Sequence, residues 1–189
     1  SIYLLLSNFQ YLLMGNEQTV LFHSTVFGPI HSRRLGVSLG INLMPDDGKV
    51  CSFDCLYCEA GYNAQGTGST GLPPRETVAQ SLENRLNAMP LAGDPLDVIT
   101  LSGNGEPTLH PEFPEIIEDT LRLRDKYYPL AKVSVLTNAT RIFDPATAEA
   151  LKRVDNNILK LDSAVEDTMR LIDHPASKDF TVERVVESL

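Results

Sequence analysis

The sequence predicts an α/β fold of alternating strands and helices, and three observations carry that expectation. Short apolar runs recur and each stops at a turn signal. Stretches with helical spacing of apolar residues separate the runs. The unusual polar clusters all sit just past the ends of the runs. Such alternation implies parallel strands, right-handed crossovers and helices outside. In folds of this kind a site gathers at the carboxyl ends of the strands.

The elements follow in order. Residues 37–44 (VSLGINLM) alternate as a strand and run into Pro45-Asp46-Asp47-Gly48, a turn. Residues 61–74 are rich in Gly, Thr, Ser and Pro and read as a surface loop. Residues 74–89 form a helix, with Val78, Leu82, Leu86 and Met89 on one face and Pro74 in the first turn. Residues 97–101 (DVITL) are a strand that stops at Ser102-Gly103-Asn104-Gly105-Glu106-Pro107. A helix over 111–127 carries Phe113, Ile116, Ile117 and Leu121. Residues 132–136 (KVSVL) are a strand ending at Thr137-Asn138, followed by a helix over 145–154. Residues 157–161 (NILKL) are a strand ending at Asp162, and 166–172 and 181–189 are helical. Residues 27–36, before the first strand, read as a solvated loop with the basic pair Arg33-Arg34. Four strands leave an open sheet edge, and residue 189 falls inside a helix. The chain is therefore expected to be truncated after about four βα units.

With 189 residues the chain fits one domain with a sizeable core. The net charge of −9 argues against a broad basic surface for nucleic acid, leaving Arg33-Arg34 as the local candidate. No stretch reaches the roughly 18 apolar residues of a membrane span. Residues 1–13 are apolar but lack the basic start and cleavage site of a secretory signal. Residues 1–18 are expected to be an N-terminal extension, with Met14 a candidate natural start, and 19–189 the core domain. Met14-Gly15-Asn16-Glu17-Gln18-Thr19 fits a myristoylation pattern, which reads as a chance match.

The three cysteines lie within eight residues, Cys51-Ser52-Phe53-Asp54-Cys55-Leu56-Tyr57-Cys58. An odd, crowded set makes a poor disulfide framework. It points to metal in a reducing compartment, hence the cytoplasm. Thiolates are soft ligands that suit iron–sulfur clusters and zinc. Three of them hold three corners of a cubane and leave one iron open, and an open position is where a substrate coordinates. A zinc knuckle is the competing reading, but structural zinc needs a fourth ligand. His23, His31 and His110 do not lie at finger spacing, and with His174 they are assigned no role.

CSFDCLYC resembles the signature of the radical S-adenosylmethionine (SAM) superfamily, including the aromatic Tyr57 directly before Cys58. The resemblance covers roughly residues 27–175. It implies a partial (βα)6-type TIM-like barrel in which Cys51, Cys55 and Cys58 hold a [4Fe–4S] cluster. It also implies an enzyme that cleaves SAM reductively to a 5′-deoxyadenosyl radical, with an oxidoreductase-like or transferase outcome. Ser102, Gly103, Asn104, Gly105 and Glu106 are similar to the loop that binds the SAM amino group. The resemblance places Asn138 and Asp162 at the ribose or carboxylate, with Lys160 on the same strand face as Asp162. Asn104 and Ala139 stand where the family commonly has glycine or another small residue. Segments 27–36 and 159–175 resemble a subgroup related to wyosine-base synthases, whose additional cysteines this chain lacks. The implied partners are a small electron donor such as flavodoxin or ferredoxin, and a substrate that is a small molecule, a peptide or RNA. The alternative from another class is a non-catalytic iron–sulfur or zinc module that carries electrons. A carrier has no need of an ammonium-binding loop at 103–107.

Overall fold

In the computed structural model, residues 19–93 and 95–188 are described. The expected extension at 1–18, Met14 and Leu189 lie outside them. Five strands form one open sheet in the order β1 (Val26–Ser32), β2 (Gly36–Ile41), β3 (Val98–Leu101), β4 (Lys132–Thr137) and β5 (Asn156–Leu159). Strands β2 to β5 are mutually parallel. They are the four strands that the sequence predicts.

The first strand is a correction, because residues 27–36 read as a loop. β1 pairs antiparallel with β2, and the register shifts between Phe27 and Ile30. Gly28-Pro29 interrupts the alternation there, and proline cannot donate to a ladder, so such a stretch is tolerated only at a sheet edge. Tertiary contact supplies what the pattern lacks. The Phe27 ring lies over Gly40, where an added Cβ would come within 2.1 Å of it, and it stacks on Phe22 with centroids 3.7 Å apart.

Among the described residues the α-helices are α1 (Arg75–Ala92), α2 (Phe113–Tyr127), α3 (Pro145–Arg153), α4 (Glu166–Asp173) and α5 (Val182–Ser188). Their boundaries follow from local chemistry. α1 starts after Pro74 and ends at Gly93, whose left-handed φ of 74° lets its N–H reach the Met89 carbonyl. Asp144 caps α3, accepting from the Thr147 N–H (3.0 Å) and hydroxyl (2.7 Å).

Register then builds the core. Leu39, Ile99 and Val133 align across the sheet, as do Ile41, Leu101 and Val135. These rows pack with Val78, Leu82, Leu86 and Met89 of α1 and Ile116, Ile117 and Leu123 of α2. Each such buried side chain contributes about 1.5–3 kcal/mol. The opposite sheet face is small and polar. The Ser38 and Thr100 hydroxyls meet at 2.8 Å, and Asn156 donates to the Ser134 hydroxyl at 2.9 Å. The apolar layer sets the parallel sheet, and the parallel sheet brings four loop starts to one edge.

Candidate functional site

The cysteine loop leaves β2 and returns to the sheet at once. Val50 donates to the Asn104 carbonyl (3.1 Å), and the Glu106 N–H donates to the Val50 carbonyl (3.0 Å). Gly105, at φ 146°, makes this approach possible, since a Cβ there would sit 1.9 Å from the Val50 carbonyl oxygen. The glycine thus serves the join between two loops, and Cys51 emerges beside Glu106. Gly105→Ala is expected to break this pairing, lower the melting temperature by several degrees and reduce iron uptake together. A variant that melts as the parent does would refute that.

The far side of the loop is tied to the segment after α4. Asp54 and Leu56 donate to the Asp173 and Ile172 carbonyls (3.0 and 2.9 Å), and Ala176 donates to the Ser52 carbonyl (2.9 Å). Phe53, 2% exposed, packs edge-on against Phe180 at 5.1 Å. The loop is held from two directions, which a free cysteine-rich segment would not be.

A cleft of about 250 Å³ opens at the carboxyl edge of the sheet. Cys51, Cys55, Glu106, Asn138 and Lys160 line it. Cys58 opens instead onto a neighbouring hollow beside Tyr57 and Tyr62. Among the described residues, no three His, Cys, Asp or Glu side chains gather as the ligands of one metal ion would. Thiolates of a cubane each bind a different iron and stand farther apart, so an all-thiol donor set spread along one loop fits a cluster better than a single zinc.

Glu106 is 2% exposed, and four donors hold its carboxylate. Oε1 accepts from the Thr108 N–H (3.1 Å), the Thr108 hydroxyl (2.5 Å) and the Thr137 hydroxyl (2.6 Å); Oε2 accepts from the Asn138 N–H (2.7 Å). Burial pushes this carboxyl up from its ordinary range, and the donors pull it partly back. Asn138 completes the junction, donating to the Ser52 hydroxyl at 3.0 Å with its Nδ2 3.6 Å from the Cys51 sulfur. Ala139, buried, takes φ 64°, the left-handed conformation that a glycine adopts freely.

Asp162, Lys160 and Tyr57 also come together. The Tyr57 hydroxyl donates to Asp162. The Lys160 ammonium pairs with Asp162 (3.1 Å) and with buried Asp173, and lies 5.0 Å from the centre of the Phe53 ring. Burial disfavours that charge, but the two carboxylates outweigh it and raise the Lys160 pKa. Ser102 stays at the strand end, donating its N–H to the Ile41 carbonyl at 3.0 Å. Gly103 leaves room for the Asn42 side chain, which a Cβ would meet at 2.5 Å.

The Asn104 side chain does not line the cleft. It is fully buried and donates to the Phe22 and Pro45 carbonyls (3.0 and 2.8 Å), while its oxygen accepts from the Phe22 N–H (2.8 Å). Its place in the motif is a structural one, fastening the segment before β1. None of the four histidines lines the cleft. His110 is buried: its Nδ1 accepts from the Glu112 N–H, so Nε2 carries the proton and donates to the Pro73 carbonyl at 2.9 Å.

Sequence reasoning missed Lys49, Asp54, Asn63 and Asp173. The signal available for the first two was a charge of each sign in or beside the cysteine motif. Asn63 and Asp173 carry no local signal, because only folding brings them to the loop.

Burial also pushes the Cys51 thiol up, to about 11 from an ordinary 9.0. In the cluster-free chain this thiol stays protonated where the unfolded chain ionises. Its contribution to stability is therefore present below about pH 9 and lost as pH rises toward about 11. The melting temperature of cluster-free protein is expected to fall between about pH 8 and about pH 10. Cys51→Ala should flatten that slope; equal slopes would refute it.

A family model described as the radical SAM superfamily matches residues 47–189. The chain belongs to the radical SAM superfamily. A [4Fe–4S] cluster and SAM, the cofactors expected from the sequence, are those of this superfamily. The chain is similar to a UPF0026 protein of Helicobacter pylori (strain ATCC 700392 / 26695), 33% identical over 164 residues that cover 87% of this chain and 50% of that protein. It is similar to a UPF0026 protein of Methanocaldococcus jannaschii at 34% identity, covering 86% of this chain and 48% of that one. The chain thus spans about half the length of these curated relatives. Among solved structures, native anSMEcpe with bound AdoMet superposes with a TM-score of 0.55 at 24% identity, covering 79% of this chain and 40% of that chain. That likeness shows the fold: a radical SAM partial barrel whose sheet is not closed. No helix among the described residues is long and apolar enough to cross a membrane.

Proposed function

We propose that this chain is the cofactor-carrying core of an enzyme that cleaves SAM reductively on a [4Fe–4S] cluster held by Cys51, Cys55 and Cys58. The observation that carries the reading is the main-chain pairing of Val50 with Gly105 and Glu106. It seats a three-thiol loop directly beside an acidic loop and Asn138 at the carboxyl edge of the sheet. When bound, the cluster supplies one electron to SAM, splitting a sulfur–carbon bond to give methionine and a 5′-deoxyadenosyl radical. The residues of the chain do the rest. The 102–106 loop offers carbonyls and the Glu106 carboxylate to an ammonium group. Asn138 and Lys160 present donors to oxygen-rich parts of the nucleotide, and Tyr57, steadied by Asp162, stands at the rim of the loop. The core is residues 19–189, preceded by an extension. Its electrons come from a flavodoxin or ferredoxin in a reducing cytoplasm. The substrate is a small molecule, a peptide or RNA, transformed in an oxidoreductase-like or transferase reaction.

The test is anaerobic reconstitution with iron and sulfide, followed by reduction in the presence of SAM. Release of 5′-deoxyadenosine supports the reading. A reduced cluster that leaves SAM intact would make the chain an electron carrier. Absence of iron uptake, or a cube capped by a fourth side chain, would overturn the reading altogether.

A further inference from the structure

Lys49 stands two residues before Cys51, and its side chain is 2% exposed. A buried ammonium costs several kcal/mol unless it is well paired, and an apolar residue of similar size is often no less stable there. Its position therefore calls for more than a contribution to stability.

The contacts show what it holds. Lys49 Nζ donates to the Gly61 carbonyl (2.7 Å) and pairs with Asp54 Oδ1 (3.2 Å). That same oxygen accepts from the Asn63 N–H (2.8 Å). The Asn63 amide in turn donates to the carbonyls of Cys51 (3.3 Å) and Phe53 (3.2 Å). The chain from residue 51 to 63 is folded around one cation, with all three cysteines on the enclosing loop.

The pair is also lopsided. Its anion, Asp54, is 29% exposed, so water screens it far more than the buried ammonium. Lys160, another cation near the cysteines, is paired with two carboxylates, Asp162 and Asp173.

Resting on the reading that the three cysteines hold a cluster, we infer that Lys49 is a positioning residue for it. Lys49 closes the ligand loop and sets a buried positive charge behind it. A thiolate-ligated cluster gains negative charge on reduction, and its potential follows the net charge around it. A buried cation at the loop therefore favours the reduced form, from which an electron must leave for SAM.

The experiment uses the full chain and its Lys49→Met, Lys49→Arg and Asp54→Asn variants, all reconstituted anaerobically. Iron and sulfide per chain are measured, and the midpoint potential is followed by electron paramagnetic resonance. Lys49→Met is expected to shift the potential more negative, Asp54→Asn to shift it more positive, and Lys49→Arg to restore the parent value. A purely structural brace would change iron content without these opposed shifts. Lys49→Met with full iron and the parent potential overturns the inference. If Lys49→Met takes up no iron, Asp54→Asn decides: a positive shift supports the inference and an unmoved potential overturns it. Failure of the parent chain itself to bind iron counts against the cluster reading.

Discussion

Cys55→Ala is expected to abolish cluster binding while leaving the fold in place. Three thiolates are the whole protein ligand set offered by the loop, and two rarely retain a cubane. The fold should tolerate the change because Cys55 is a small buried side chain beside Phe53 and Met169. Losing its sulfur costs about 1 kcal/mol, an ordinary core truncation. Iron should therefore fall from about four per chain toward none, with the visible thiolate–iron absorption lost and the melting temperature of the cluster-free form nearly unchanged. Burial pushes the Cys55 thiol up, and the Lys160 ammonium offsets part of that. The thiol thus stays protonated until metal displaces the proton. Full iron content in Cys55→Ala would show that the cysteine loop is not the ligand set.

Glu106→Ala has the largest expected effect on the fold itself. It strands the Thr108 and Asn138 N–H groups and leaves two threonine hydroxyls to find new partners, all within a buried junction. Losing a buried charged acceptor with several donors costs about 3–5 kcal/mol. At about 2–4 °C per kcal/mol for a chain of this size, the melting temperature should drop by about 6–20 °C. Glu106→Gln keeps one carbonyl oxygen but turns an NH₂ group toward a backbone N–H, so roughly half that loss is expected. Both variants should also weaken SAM binding by the reconstituted protein, measured by equilibrium dialysis. A Glu106→Ala variant as stable as the parent would show that the four donors are satisfied without the carboxylate.

Much of the architecture was legible in the chain. The runs at 37–44, 97–101, 132–136 and 157–161 became β2 to β5, with ends displaced by up to three residues. The helices matched within a few residues, because their apolar faces and their proline or aspartate starts are local signals. β1 was not legible. Its glycine and proline break the alternation, and only the pairing with β2 makes it a strand.

The site divides in the same way. The cysteine spacing, the turn residues after β3 and the polar ends of β4 and β5 are properties of short stretches, so the sequence by itself determined which residue types gather and at which edge of the sheet. Which side chains face a cleft and which brace a loop depends on contacts between residues 30 or more positions apart. Asn104 reaches Phe22, Glu106 lines the cleft while held by the end of β4, and the cysteine loop is tied to residues 172–176. Hydrogen bonds made across that distance leave no periodic trace in a sequence, because their geometry exists only once the apolar layer has set the strands side by side. Lys49 shows the same limit over a shorter span: its charge beside the cysteines is plain in the sequence, but its burial against Asp54 and the Gly61 carbonyl, 5 and 12 positions away, exists only once the loop is folded.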